Sequence, residues 1–207
     1  RYIYIRHSCR SEVFRKRCVI VGGVLALQGN FVSHIDILNQ IGISSKLVKT
    51  LKDLSTIDGL ILPGGESTTM SNLLLRDQDF INGIKSFSID KPILGTCAGL
   101  ILMSKNSFDK KVLNMNIIDI EVSRNAYGRQ VHSFEDSISL MHKNIKSKLM
   151  KASFIRAPKI TSMGHDVQIL CKHNNEIVGV KEGKHIAVTC HPELQNETLL
   201  HEICFKS

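Results

Sequence analysis

No run of apolar residues in this chain approaches the roughly 18 that a membrane span requires, which argues against an integral membrane protein. The spacing C-x-x-C is also missing, so zinc-ribbon and thioredoxin-like readings lose their support. The six cysteines (Cys9, Cys18, Cys97, Cys171, Cys190 and Cys204) are scattered through 207 residues, a length that does not need disulfide staples. A reducing, cytoplasmic compartment is the simpler expectation. Residues 1–17 lack the apolar centre of a secretory signal. No internal repeat, low-complexity tract or linker follows residue 18. Tryptophan is absent too, which excludes nothing.

What is present in excess is positive charge, a net +8. Its distribution argues against a nucleic-acid-binding face. Residues 1–17 hold six basic side chains (Arg1, Arg6, Arg10, Arg15, Lys16, Arg17) against Glu12, so they supply +5, and the rest of the chain carries only +3. The basicity belongs to a tail. The expected organisation is a loose basic extension, 1–17, followed by one domain, 18–207.

Along that domain, apolar runs alternate with helical spacing. Cys18–Leu27 is continuous apolar sequence, the pattern of a strand buried on both faces, and Gln28-Gly29-Asn30 ends it. Phe31, Ile35, Leu38 and Ile41 then repeat at helical spacing. Ser44–Val48 and Ile57–Leu62 read as strands, the second ended by Pro63-Gly64-Gly65. A helix is expected from Thr68, with Met70, Leu73 and Leu74 on one face. Pro92–Leu94 is a short strand entering Gly95-Thr96-Cys97-Ala98-Gly99, and a helix continues from Leu100. Alternation of this kind predicts an α/β fold, a parallel sheet with helices on both faces. Segments 115–123, 130–138, 153–157, 166–172, 176–181 and 185–190 are strand-like with short connections, which makes the sheet mixed. Glu193–Phe205 is expected to close the chain as a helix.

Cys97 is the candidate nucleophile. It lies between an apolar strand and a helix, where a sharp turn needs small neighbours, and Gly95 and Gly99 supply them. A helix N-terminus favours thiolate, and the Ala98 N–H is suited to an oxyanion. His191-Pro192-Glu193 follows another strand. In extended chain, residues two apart point the same way, and Pro192 biases His191 toward extended geometry. His191 and Glu193 thus form the base and orienter of a triad. His165-Asp166 offers a similar pair but falls in a turn-like stretch and is expected to be a loop.

GTCAG together with HPE resembles the triad-type (class I) glutamine amidotransferases. GVLALQG (Gly23–Gly29), PGGESTT (Pro63–Thr69), RNAYGRQ (Arg124–Gln130) and FIRAP (Phe154–Pro158) narrow the resemblance to the glutaminase subunits of pyridoxal 5′-phosphate synthase, over about residue 19 to the end. The resemblance implies an α/β fold of the class I glutaminase type, three-layered and flavodoxin-like, with a mostly parallel mixed sheet. It implies hydrolysis of L-glutamine by Cys97, His191 and Glu193, with an oxyanion hole at Gly65 and Ala98. Glu66 and Ser67 would receive the α-ammonium and polar groups of glutamine, Arg124 and Arg156 its α-carboxylate, and Gln28 and Ile155 would complete the rim. PGGEST also fits an ordinary helix start capped by Ser67 or Thr68. The implied partner is a (β/α)8 synthase subunit in a multi-subunit complex, with no metal, cofactor, membrane or nucleic acid in the hydrolysis. Cys190 and Gln195 depart from the family pattern, which usually has an aromatic residue before HPE and threonine after HPEL. Two other readings stay open: a glutaminase serving histidine or nucleotide synthesis, and a catalytically inactive regulatory subunit.

Overall fold

A computed structural model describes residues 20–124, 133–142 and 145–206. The basic extension, Cys9 and Cys18, the start of the first apolar run and residues 125–130 of the RNAYGRQ segment lie outside the described residues.

The parallel half of the sheet is built from β1 (Val21–Leu25), β2 (Ser44–Val48), β3 (Gly59–Leu62), β4 (Ile93–Thr96) and β11 (His185–Val188). Helices α1 (Phe31–Gln40), α2 (Leu51–Leu54), α3 (Ser67–Leu74), α4 (Gln78–Asp90), α5 (Ala98–Met103) and α6 (Leu199–Phe205) complete this half. Strands β9 (Gln168–His173), β10 (Glu176–Glu182), β6 (Phe134–His142) and β7 (Ile145–Phe154) extend it in antiparallel fashion, in the order β2-β1-β3-β4-β11-β10-β9-β6-β7. Strands β5 (Ile120–Ser123) and β8 (Lys159–Met163) form a separate antiparallel pair.

Strands β3, β4 and β11 are buried throughout, which is why their sequences read as continuous apolar runs rather than alternating ones. Their side chains serve two cores, one on each face. Leu60, Leu62 and Ile93 pack with Met70, Leu74, Ile81 and Ile84 of α3 and α4. Ile61, Leu94, Ile186 and Val188 pack with Leu38 of α1 and Ile203 and Phe205 of α6. The expected three-layer architecture is therefore present, a mixed and mostly parallel core sheet between helices.

Three segments correct the sequence reading. Of the strand expected at 130–138, residues 130–132 lie outside the described residues; residues 134–138 belong to β6, which pairs with β7 in one long hairpin, and the strand expected at 153–157 is the end of β7, closing at Phe154. Ile138, Leu140, Met150 and Ala152 face the core, while Lys148 and Lys151 stand exposed on the outermost strand, where lysine discourages further strand pairing. Helix α4 was not anticipated, although Asp77 caps it by accepting from the Phe80 N–H. The expected closing helix from Glu193 to Phe205 is broken: Pro192–Gln195 is a 3-10 turn ended by Asn196 at φ 56, and α6 begins only at Leu199.

Candidate active site

Parallel α/β sheets bind ligands beyond the carboxyl ends of their strands. Here β1 leads to Gln28, β3 to Gly64 and Gly65, β4 to Cys97 and β11 to His191. All of these residues line one cavity of about 340 Å³.

Cys97 forms the turn between β4 and α5 with φ 48 and ψ −100. Side chains disfavour this region, at a cost of about 1–3 kcal/mol, so the surroundings must enforce it. A Cβ at Gly99 would come within 1.9 Å of the Leu62 carbonyl oxygen, and one at Gly95 within 2.8 Å of the Gly99 carbonyl carbon. Only glycine lets α5 start this tightly against β3 and β4. The Cys97 N–H donates to the Val188 oxygen at 2.8 Å, tying the turn to β11. Its Sγ lies 3.9 Å from the Ile155 oxygen.

His191 is fixed from both sides of its peptide. Its N–H donates to the Ser153 oxygen at 2.8 Å, and its carbonyl accepts from the Ser153 N–H at 3.2 Å. Gln195, one of the departures from the family pattern, donates to Ser153 Oγ at 2.8 Å and so supports the same clamp. The 3-10 turn brings Glu193 back, with Oε1 2.8 Å from His191 Nδ1. A proton on Nδ1 shared with the carboxylate leaves Nε2 for the thiol. Burial opposes charge on His191, but hydrogen bonds to Cys97 and Glu193, and their charges, outweigh it and raise its pKa to about 10. His191 is thus an imidazolium at neutral pH. Burial likewise penalises the Glu193 carboxylate, yet His34 and His191 hold its pKa below the usual range. Burial pushes Cys171 and Cys204 up to about 12 and Cys190 well above its ordinary value, so they are inert thiols in the core.

The glycine loop presses directly on this pair. A Cβ at Gly64 would lie 2.1 Å from His191 Cε1. The loop is held by Asn30, whose N–H donates to the Gly64 oxygen at 3.0 Å. Gln28 also holds it: its Oε1 accepts the Glu66 N–H at 2.9 Å. Ala98 opens α5, and the first N–H groups of a helix find no acceptor within it.

Gln28, Gly65, Glu66, Ser67, Arg124, Ile155 and Arg156 all line the cavity beside Cys97, Ala98 and His191, while Glu193 lies buried behind His191. Two expectations are refined. The cap of α3 is Glu66, not Ser67 or Thr68. Its carboxylate accepts from the Thr68 and Thr69 N–H groups at 3.1 and 2.6 Å and from Thr69 Oγ1 at 2.6 Å. The Thr69 hydroxyl and these amides, against a smaller opposing effect of burial, hold Glu66 at about 2. Arg124, which the resemblance gives to the α-carboxylate, already has partners within the chain. It pairs with Asp109, donates to Thr68 Oγ1 at 3.2 Å and lies 3.8 Å from Glu66. Arg156, at φ 47, is exposed, and no ion pair engages it among the described residues. His165 and Asp166 form an exposed loop pair, as expected. Sequence reasoning missed Asn30, Asp109, Pro158 and Leu194. It also missed His34, whose signal was a histidine on the apolar face of α1 beside the buried Ile37 and Leu38. No group of three or more His, Cys, Asp or Glu residues is placed to hold a metal ion among the described residues.

The model of the SNO glutamine amidotransferase family matches residues 24–206. The chain is 43% identical over 180 residues to "Pyridoxal 5'-phosphate synthase subunit PdxT" of Francisella tularensis, covering 87% of this chain and 94% of that one. It is 45% identical over 185 residues to the protein of the same name from Shouchella clausii, covering 89% and 93%. A solved structure titled as a glutamine amidotransferase superposes with a TM-score of 0.81 at 34% identity, over 89% of this chain and 97% of that one. PurLQS from Thermotoga maritima shares the fold, with a TM-score of 0.63 at 16% identity over 90% of this chain and 93% of that one.

Proposed function

The chain belongs to the SNO glutamine amidotransferase family, and on that premise we propose that it is the glutaminase subunit of a pyridoxal 5′-phosphate synthase. It converts L-glutamine and water into L-glutamate and ammonia. Full-length relatives carrying that subunit name support the pathway over histidine or nucleotide synthesis. An intact nucleophile–base–orienter set speaks against an inactive regulatory subunit. The single observation that carries the chemistry is the strained Cys97 turn, which faces an imidazole held by a buried carboxylate in one cavity.

The Cys97 thiolate attacks the side-chain amide carbon of glutamine. Negative charge gathers on the amide oxygen, where the N–H groups of Gly65 and Ala98 receive it. The His191 imidazolium gives its proton to the departing nitrogen, so ammonia leaves and a γ-glutamyl thioester remains. Neutral His191 then takes a proton from water, whose oxygen attacks the thioester carbon. Glutamate departs, Cys97 regains the electron pair of the broken bond, and the imidazolium is restored. Glu193 stabilises that imidazolium and fixes its tautomer. Arg156 and Arg124 bracket the α-carboxylate, where a planar guanidinium pairs well. With Asp109 already on Arg124, Arg156 is the cation more available to substrate. The Glu66 carboxylate, facing the cavity beside Ser67, serves the α-ammonium while capping α3.

Beside glutamine and water, the groups that act in this scheme are side chains and backbone amides of the chain. The ammonia passes to a (β/α)8 synthase subunit in the assembled enzyme, in the cytoplasm. The test is glutamate release by the purified chain, alone and with the synthase subunit. Stimulated release is expected, and a chain that releases no glutamate in the complex overturns the reading.

A further inference from the structure

Behind Glu193, on the side turned away from the cavity, lies a buried polar cluster that no step above uses. His34 of α1, Thr96 of β4 and His201 of α6 are 0%, 1% and 1% exposed. His34 Nδ1 is 2.9 Å from His201 Nε2. His34 Nε2 lies 3.3 Å from Thr96 Oγ1 and 3.6 Å from Glu193 Oε1. That same carboxylate oxygen is the one 2.8 Å from His191 Nδ1. Glu193 Oε2 and His201 Nδ1 are buried without a hydrogen-bond partner.

One distribution of protons suits this geometry. Burial holds both His34 and His201 neutral, so each ring carries a single N–H. With the His201 proton on Nε2, it donates to His34 Nδ1. The His34 proton must then sit on Nε2, aimed between Thr96 Oγ1 and Glu193 Oε1. The atom left unpartnered on His201 is a lone pair. The opposite distribution would orphan an N–H of His201 in the interior and turn a His34 lone pair toward the carboxylate. Both are costly in a dry site. The donors therefore run one way, His201 to His34 to Thr96, and the same His34 N–H edge is turned toward Glu193 Oε1 at 3.6 Å, an electrostatic contact longer than a hydrogen bond.

We propose that His34 and His201 are positioning residues, a directed relay (His201 to His34 to Thr96) whose N–H edge packs against the Glu193 carboxylate and holds it in register against His191. The proposal rests on the glutaminase reading above. During turnover His191 loses its charge when ammonia departs and regains it when water is split. A buried carboxylate with His191 as its sole partner would lose its compensation at the first of these steps. The His34 N–H dipole, fixed by Thr96 and His201 and 3.6 Å from Oε1, is a favourable neighbour that persists through the cycle and biases which oxygen faces the imidazole.

The test compares two amides of equal polarity at position 34. Glutamine extends its NH₂ to the place of His34 Nε2, whereas asparagine reaches only the place of Nδ1, beside His201. Glutamate release is measured in the complex with the synthase subunit. His34→Gln is expected to keep kcat within about threefold, and His34→Asn to lose about 10- to 100-fold, the scale of a sub-ångström misplacement. KM should stay within about twofold in both, since glutamine does not touch this cluster. Should circular dichroism show that neither variant folds, His201→Gln and His201→Leu replace them. Leucine should then lower kcat by more than about threefold and glutamine should restore it. Equal kcat within the informative pair overturns the relay while leaving the glutaminase reading intact. A parent chain that releases no glutamate overturns that reading and the relay with it.

Discussion

Replacing Gly64 with alanine tests how closely the loop after β3 is fitted to His191. The new Cβ would lie 2.1 Å from Cε1, 2.8 Å from Nδ1 and 3.1 Å from Nε2 of the imidazole. Carbon atoms in contact stand about 3.5–4.0 Å apart, so ring and loop must separate by roughly 1.4 Å. Neither yields freely. The ring is held by Glu193 at 2.8 Å, and its peptide by Ser153 at 2.8 and 3.2 Å. The loop is held by Asn30 and Gln28. A displacement of about 1 Å between base and nucleophile costs on the order of 10²-fold in rate. Overpacking adds about 1–3 kcal/mol of lost stability, and at about 2–4 °C per kcal/mol for a chain of this size the protein stays folded. Gly64→Ala should therefore lower kcat for synthase-stimulated glutamate release about 100-fold, with a modest fall in Tm by calorimetry. Gly42 provides the control. It has φ +74 with nothing within 4 Å of a built Cβ, so Gly42→Ala strains the backbone in the turn between α1 and β2 and should cost stability without touching kcat. A Gly64→Ala enzyme with kcat within threefold of the parent, by about the error of such assays, would refute the fitted-loop reasoning.

Other outcomes follow from the same geometry. Cys97→Ser should abolish glutamate release with the fold retained by circular dichroism, because a serine hydroxyl is far less acidic at the same place. Activity within about tenfold of the parent would remove Cys97 from its role. Glu193→Gln should hurt less than His191→Ala, since one orients and the other moves protons; the reverse ranking of initial rates would contradict those roles. Arg156→Ala and Arg124→Ala should raise KM more than they lower kcat, and unchanged KM in both would mean that another group grips the α-carboxylate. Stability should peak near neutrality. His185, lowered to about 4 mainly by burial, joins His34 and His201 in staying neutral in the fold. Unfolded histidines bind protons below about 6.5, so these contributions are lost as pH falls through that value. His191, raised to about 10, contributes stability that is full below about 6.5 and lost as pH rises toward its folded value. Denaturant midpoints that rise steadily from pH 6 to pH 10 would contradict this assignment.

Much of this protein is legible in its sequence because the decisive features are local. A strand buried on both faces must be apolar throughout, so β3, β4 and β11 announce themselves as runs. A cysteine between glycines at a strand-to-helix turn, and His-Pro-Glu after a strand, show their spacing without any tertiary information. Since parallel strands deliver their carboxyl ends to one edge, placing Gln28, Gly65, Cys97 and His191 at strand ends was enough to place them together.

What the sequence did not determine depends on partners far away along the chain. The sequence marks strand-like segments near 130–138 and 153–157 but not their pairing, and only the structure sets β6 between β7 and β9. The break at Asn196 requires a left-handed residue that helical periodicity cannot register. Whether Glu66 is a free acid or a helix cap is decided by where the Thr68 and Thr69 amides point, and Arg124 meets Asp109 only because the segments carrying them are folded together. His34, Glu193 and His201 stand up to 167 positions apart. His34 and His201, each alone, are unremarked polar residues in apolar neighbourhoods, and Glu193 is legible only as the partner of His191. Packing α1 and α6 against the same face of the sheet turns them into one buried network, since a polar group removed from water must find its partner in whatever element the fold brings beside it.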